Sequence, residues 1–162
     1  LSGYGVQAKI KWPNDIYVGS RKICGMLIEN SVRGDLLSSS IIGIGLNINQ
    51  ETFLSSVPNP VSLYQIIGKE IDREEVFSKV IHAILGGYKS LESDFHEASA
   101  AILLLYKKFL YRRKGFHSFQ DNNGIFTAQI HDVGEDGYLY LKDTENNIRK
   151  YAFKEVNYII HE

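Results

Sequence analysis

A single cysteine, Cys24, excludes an intrachain disulfide, so the fold rests on its own core, and a reducing cytoplasmic location is the expectation. No apolar stretch approaches the length of a membrane span; the longest, Ala100–Leu105, is far too short, and no membrane partner is expected. No secretory leader is visible. Neither sign of charge dominates. Eighteen basic and nineteen acidic side chains leave a formal charge of −1, which gives no support for general nucleic-acid binding. The five histidines are scattered without metal-ligand spacing. Long-period repeats and low-complexity segments are lacking as well. Against these absences stands an apolar content of 44%, enough for a real core in one domain, or one domain with a small appendage.

The first residue is Leu1 rather than Met. Leu1–Gly5 reads as the tail of an element, so the expectation is a chain that begins inside a domain. Gln7–Lys11 alternates as a strand does, Pro13 interrupts ladder pairing, and Asn14-Asp15 is a turn pair. Ile16–Val18 and Lys22–Glu29 predict a hairpin over Gly19-Ser20. Ser31–Asp35 is a second turn. Leu36–Ile48 is a third strand, apolar almost throughout from Ile41, and is expected to be buried on both faces. Pro58 and Pro60 mark a loop. Ser62 is a helix N-cap for Leu63–Ile67, stopped at Gly68. Asp72–Glu75 has capping-box form and opens a helix in which Val76, Phe77, Val80, Ile81, Ile84, Leu85, Tyr88 and Leu91 recur at helical spacing. Gly86-Gly87 weakens that helix without ending it. A third helix is expected over Ala98–Tyr111, with Gly115 as its stop. Gly124–Val133, Tyr138–Lys142, Ile148–Phe153 and Val156–Ile160 then predict four short strands of a small antiparallel barrel.

Chemistry concentrates between Lys9 and Asn49. Lys11, Asp15 and Lys22 can meet at one sheet edge, where two ammonium groups beside a carboxylate suit a phosphate carrying a divalent cation. Gly25, Gly43 and Gly45 interrupt strands, which fits a ligand, a bulge or tight packing. Asn47 and Asn49 share a face at the end of an apolar strand, and their amides could bond a nucleotide or a metal-bound water. Taken singly, Lys22 reads more often as a solvated edge lysine, Asn14-Asp15 as a turn, and the glycines as packing. Their co-occurrence favours a site. Cys24 reads as a buried, inert thiol.

Lys11-Trp12-Pro13-Asn14-Asp15, Lys22-Ile23-Cys24-Gly25-Met26-Leu27-Ile28-Glu29 and Gly43-Ile44-Gly45-Leu46-Asn47-Ile48-Asn49 resemble the catalytic domain of biotin–protein ligases. Lipoate ligases share the fold and match these motifs less well. The resemblance implies an α+β, class II synthetase-like domain with a mostly antiparallel sheet and packed helices over 1–113, incomplete at its N-terminus, and a small SH3-like β-barrel over 114–162. It implies ATP and biotin as substrates, Mg2+, a biotinyl-5′-AMP intermediate, and transfer to a lysine of a biotin carboxyl carrier protein. A homodimer is a further expectation.

By motif, Lys22 resembles the lysine that contacts the biotin carboxylate and adenylate phosphate, and Lys11 a second phosphate-facing lysine. Asp15, as metal ligand, and Asn14 resemble the Mg·ATP side, and Asn47 the asparagine near the adenylate. Gly25 and Leu27 resemble the biotin lining, with Gly43 and Gly45 in the same cofactor-binding set. Trp12 reads as packing rather than base stacking. The family's Gly-Arg-Gly-Arg-x-Gly-Arg loop has no counterpart here, so the expectation is a C-terminal portion whose activity alone is impaired. Two alternatives remain: a lipoate-ligase-like enzyme, and a non-catalytic adaptor docking through the C-terminal barrel. The run Lys107, Lys108, Arg112, Arg113 and Lys114 is either a solvated helix end or a contact for ATP phosphates or an acidic carrier domain.

Overall fold

Short β-rich runs separated by turn pairs favour local antiparallel pairing, and that is what forms. The computed structural model describes residues 1–34, 36–54 and 59–160; Asp35, in the second predicted turn, and Pro58, in the predicted loop, lie outside the described residues. Two compact units result, Leu1–Lys9 with Asn14–Asp72, and Ile10–Pro13 with Arg73–Glu162.

In the first unit β2 (Asp15–Val18), β3 (Arg21–Arg33) and β4 (Leu36–Leu46) make an antiparallel meander. Gly19, at φ 59, takes the left-handed conformation that the β2–β3 turn needs. Ile16 faces Cys24 while Tyr17 faces Lys22, so Ile23 is the extra residue of a β-bulge. Ile23, Val61 and Leu63 are fully buried and anchor this unit's core with Val6, Tyr17 and Ile71. Helix α1 (Leu63–Ile67) starts and stops where expected. The Ser62 hydroxyl accepts from Gln65 N at 3.1 Å, Gln65 Oε1 accepts from Ser62 N at 3.3 Å, and Gly68 closes the helix at φ 78.

The burial expected for β4 does not occur. Leu36, Leu37, Ile41 and Ile42 are 75%, 62%, 67% and 45% exposed. Neighbours in a strand point to opposite faces, so both faces are open among the described residues. An apolar run records a preference for burial and does not supply the layer that would provide it.

In the second unit, Ile10, within β1 (Lys9–Lys11), bridges to the chain at Leu110: Ile10 N donates to Phe109 O at 2.8 Å, and Tyr111 N to Ile10 O at 2.7 Å. Helix α2 (Arg73–Ser93) runs through Gly86-Gly87 as expected, but of its predicted apolar stripe only Val76 is buried. Helix α3 (Phe95–Lys108) is shifted from the expected span. Asp94 caps it through Glu97 N at 3.0 Å, and it ends at Phe109, well before Gly115. The bridge to Ile10 claims the backbone that would have continued the helix. No described helix is long and apolar enough to cross a membrane.

Five strands complete this unit: β5 (His117–Asp121), β6 (Gly124–Val133), β7 (Leu139–Asp143), β8 (Ile148–Tyr151) and β9 (Asn157–Tyr158), antiparallel in the order β8-β7-β6-β5-β9. The sequence pattern missed β5, whose His-Ser-Phe-Gln-Asp composition is weakly β-forming; its ladder to β6 determines it. Phe119, Leu139 and Leu141 are fully buried at the centre of the core. The architecture is α+β with antiparallel sheets, as expected.

Candidate functional site

The β3 bulge determines where Lys22 goes. Its Nζ lies 2.7 Å from Asp15 Oδ1, and both side chains are half-buried. A Cβ added to Gly25 would stand 3.0 Å from Lys22 Cε and Nζ and 3.4 Å from Asp15 Oδ1. Gly25 is therefore the seat of this ion pair. Asp15, Gly25 and Gly45 form one row across β2, β3 and β4. The backbone of Lys22 is clamped as well: its N–H donates to Asn59 O at 2.7 Å, and its carbonyl accepts from Val61 N at 2.9 Å.

Lys22, Gly25, Gly45 and Asn47 line a cavity of about 280 Å³, together with Cys24, Phe53 and Pro60. Asn47 Nδ2 donates to Val61 O at 3.1 Å, while its Oδ1 accepts nothing among the described residues. Gly45 is tolerant by comparison with Gly25, since an added Cβ would make only an ordinary 3.7 Å contact with Gly25 O. Burial pushes the Cys24 thiol up, Lys22 opposes that and Asp15 adds to it, which suits an unreactive wall. Phe53 and Pro60 were not legible as lining residues. The only hint lay in the proline, whose segment pairs with Lys22.

Other candidates lie elsewhere. Asn14 Nδ2 donates to Met26 O, and Met26 N donates to Asn14 O at 3.0 Å, so Asn14 ties the turn to β3. Asn49 is a clamp on Ile71, donating to its carbonyl at 2.8 Å and accepting from its N–H at 3.0 Å. Leu27 is 61% exposed and faces Gly43 across β3–β4, and neither lines the cavity. Lys11 falls in the second unit, with Nζ 5.0 Å from the centroid of the Tyr158 ring. Trp12 is buried in that unit's core and donates from Nε1 to Gly137 O at 3.0 Å. It packs, as expected. Arg112, at φ 55, donates to Ile159 O at 2.8 Å and stacks on Tyr111, so it has a structural task.

The profile of the Biotin/lipoate A/B protein ligase family matches residues 2–47, the segment that carries this ion pair and its glycines. The bifunctional ligase/repressor BirA of Bacillus spizizenii is 31% identical over 151 residues, covering 90% of this chain and 45% of the relative. Along nine-tenths of its length the chain is thus similar to biotin–protein ligases. The biotin--[acetyl-CoA-carboxylase] ligase of Paracoccus denitrificans is 32% identical over 77 residues, 45% of this chain and 32% of that one. The biotin protein ligase of Aquifex aeolicus in complex with biotin and ATP superposes with a TM-score of 0.74 at 25% identity, covering 99% of this chain and 65% of that chain. The chain thus spans about half the length of the BirA relatives it matches.

Proposed function

We propose that the first unit carries the adenylate-forming side of a biotin–protein ligase. The biotin carboxylate attacks the α-phosphorus of ATP, the bond to the bridging oxygen breaks, and pyrophosphate leaves. The Nζ of a lysine on a biotin carboxyl carrier protein then attacks the acyl carbon of biotinyl-5′-AMP, and AMP leaves. The match of residues 2–47 to the Biotin/lipoate A/B protein ligase family supports the reading, as does likeness to a relative described in complex with biotin and ATP. One observation carries it: the Lys22 ammonium, held by Asp15 at 2.7 Å over Gly25, on the wall of a cavity that Asn47 also lines.

In this reading Lys22 neutralises charge that develops on the α-phosphate and the attacking carboxylate, and Asp15 keeps it in place beforehand. Asn47 offers its amide to the nucleotide, and Gly45 leaves room for it. Asn14 positions Asp15 through the turn, and Leu27 and Gly43 belong to the biotin side. Among the described residues no cluster of three or more acidic, histidine or cysteine side chains could hold an ion alone. Magnesium fits as the cation of ATP, with Asp15 its one carboxylate here, since Mg2+ usually takes one or two carboxylates beside substrate phosphates. When bound it would neutralise the phosphates.

Residues 1–113 then form the catalytic domain and 114–162 an SH3-like domain of a cytoplasmic enzyme. A homodimer also belongs to the proposal, because β4 is an outer strand, eleven residues long and uncharged. The decisive experiment is pyrophosphate exchange with Lys22→Ala in the intact protein. Exchange should be abolished while carrier binding persists; full exchange would overturn the ligase reading.

A further inference from the structure

Three consecutive residues of β6, Ile130, His131 and Asp132, line one cleft in the second unit, with Lys107, Leu110, Arg113 and Lys114 opposite, around a cavity of about 290 Å³. Regular alternation forbids this, because neighbours in a strand point to opposite faces. The cause is a bulge. Ile130 faces Leu141 and Asp132 faces Tyr140, so His131 is the extra residue, turned out of the alternation.

The opposite wall is held at both ends. Arg112 donates to Ile159 O at 2.8 Å just before it, and the ring nitrogen Nε2 of His117 meets Lys114 O at 2.9 Å. Buried Leu110 and Ile130 form the apolar floor. Lys107 and Asp132 satisfy each other at 2.7 Å. Arg113, Lys114 and His131 make no side-chain hydrogen bond or ion pair among the described residues. Three positive side chains against one negative leave the cleft cationic, and concave walls of one sign concentrate an anion. Helix-dipole compensation does not account for the whole set: Lys107 and Lys108 occupy the last turn of α3, whereas Arg113 and Lys114 lie beyond it, where that effect has faded.

We propose that this cleft is a binding site for a small di- or polyphosphate anion. The Arg113 guanidinium supplies a planar fork of donors, Lys114 a point charge, and His131 a ring donor from the bulge. A monocarboxylate would satisfy only one of these groups. A small anion suits the recess better than a protein surface does, since the donors stand around a cavity rather than on a rise. The proposal depends on no step of the ligase reaction.

The test titrates the full chain with inorganic pyrophosphate by calorimetry at near-physiological salt, beside Arg113→Ala/Lys114→Ala and, separately, Lys22→Ala. Both residues of the double variant are exposed, so it should fold, and its thermal unfolding would verify that. Saturable binding that survives Lys22→Ala and weakens roughly tenfold or more in the double variant supports the site. Absence of saturable binding, binding that needs Lys22, or binding unchanged in the double variant overturns it. None of these outcomes depends on whether Lys22→Ala abolishes pyrophosphate exchange, so this site and the ligase reading stand or fall separately.

Discussion

Gly25 shows how a glycine of ordinary backbone conformation can be required by a neighbouring side chain. The atoms that a Cβ would meet belong to the mobile end of Lys22, so the fold can yield while the ammonium cannot stay. Gly25→Ala should therefore leave the unfolding temperature nearly unchanged and lower the rate of adenylate formation about ten- to a hundredfold, the scale of a misplacement near one ångström. Unfolding and pyrophosphate exchange measured on the same preparation check this. Tyr158 offers the opposite case. Its hydroxyl is buried without a partner among the described residues. Deleting an unsatisfied polar atom removes a desolvation cost of about 1–3 kcal/mol, so Tyr158→Phe should be neutral or stabilising in urea unfolding. Lys22, Asp15 and Asn47 were legible from motif and spacing. Phe53 was not, because no local pattern marks a side chain that reaches a cavity from a loop.

At the scale of elements, caps proved more readable than ends. Ser62 and Gln65 make the reciprocal cap that their spacing suggests, and Ser62 Oγ also donates to Gln50 O at 2.6 Å. Ser62→Ala should cost about 1–2 kcal/mol in chemical unfolding, the upper end reflecting complete burial. The end of α3 was misplaced because a bond to Ile10, distant in sequence, decides it. Between β5 and β8, Tyr151 donates to Asp121 at 2.8 Å, and Arg149 reaches Asp143 at 3.1 Å. Burial, then the bond to Asp121, pushes Tyr151 up to about 12 from its ordinary 10. Its proton is thus held more tightly in the fold than in the unfolded chain. That contribution is intact below pH 10 and is lost as pH rises toward 12. Tyr151 and then the Asn123 backbone hold the Asp121 carboxyl below the usual carboxylate range, so its contribution is lost as pH falls through that range. Urea midpoints across pH should decline at both extremes, and Tyr151→Phe should flatten the alkaline decline.

For the whole molecule, the open faces and free edge of β4 matter most. Its exposed leucines and isoleucines exceed what a monomer's sheet usually leaves to water. Ile42→Lys should shift light-scattering mass toward the monomer if β4 joins two copies, and an unchanged mass would count against the homodimer. The core of the second unit can be followed separately, because Trp12 is the one tryptophan and belongs to it. Leu141→Ala, at a fully buried position, should destabilise by about 2–5 kcal/mol when read by Trp12 fluorescence.

The sequence by itself determined what depends on neighbours along the chain: the meander, the Ser62 cap, the turns, the α+β class and the motifs that mark the family. Periodicity and capping are local, so they survive without a fold. Tertiary structure decided what depends on distant partners. It seated Lys22 on Gly25 through a bulge, put Lys11 against Tyr158, ended α3 at Phe109, and left β4 uncovered. Those outcomes follow from backbone hydrogen bonds and side-chain contacts between remote residues, which no local pattern encodes.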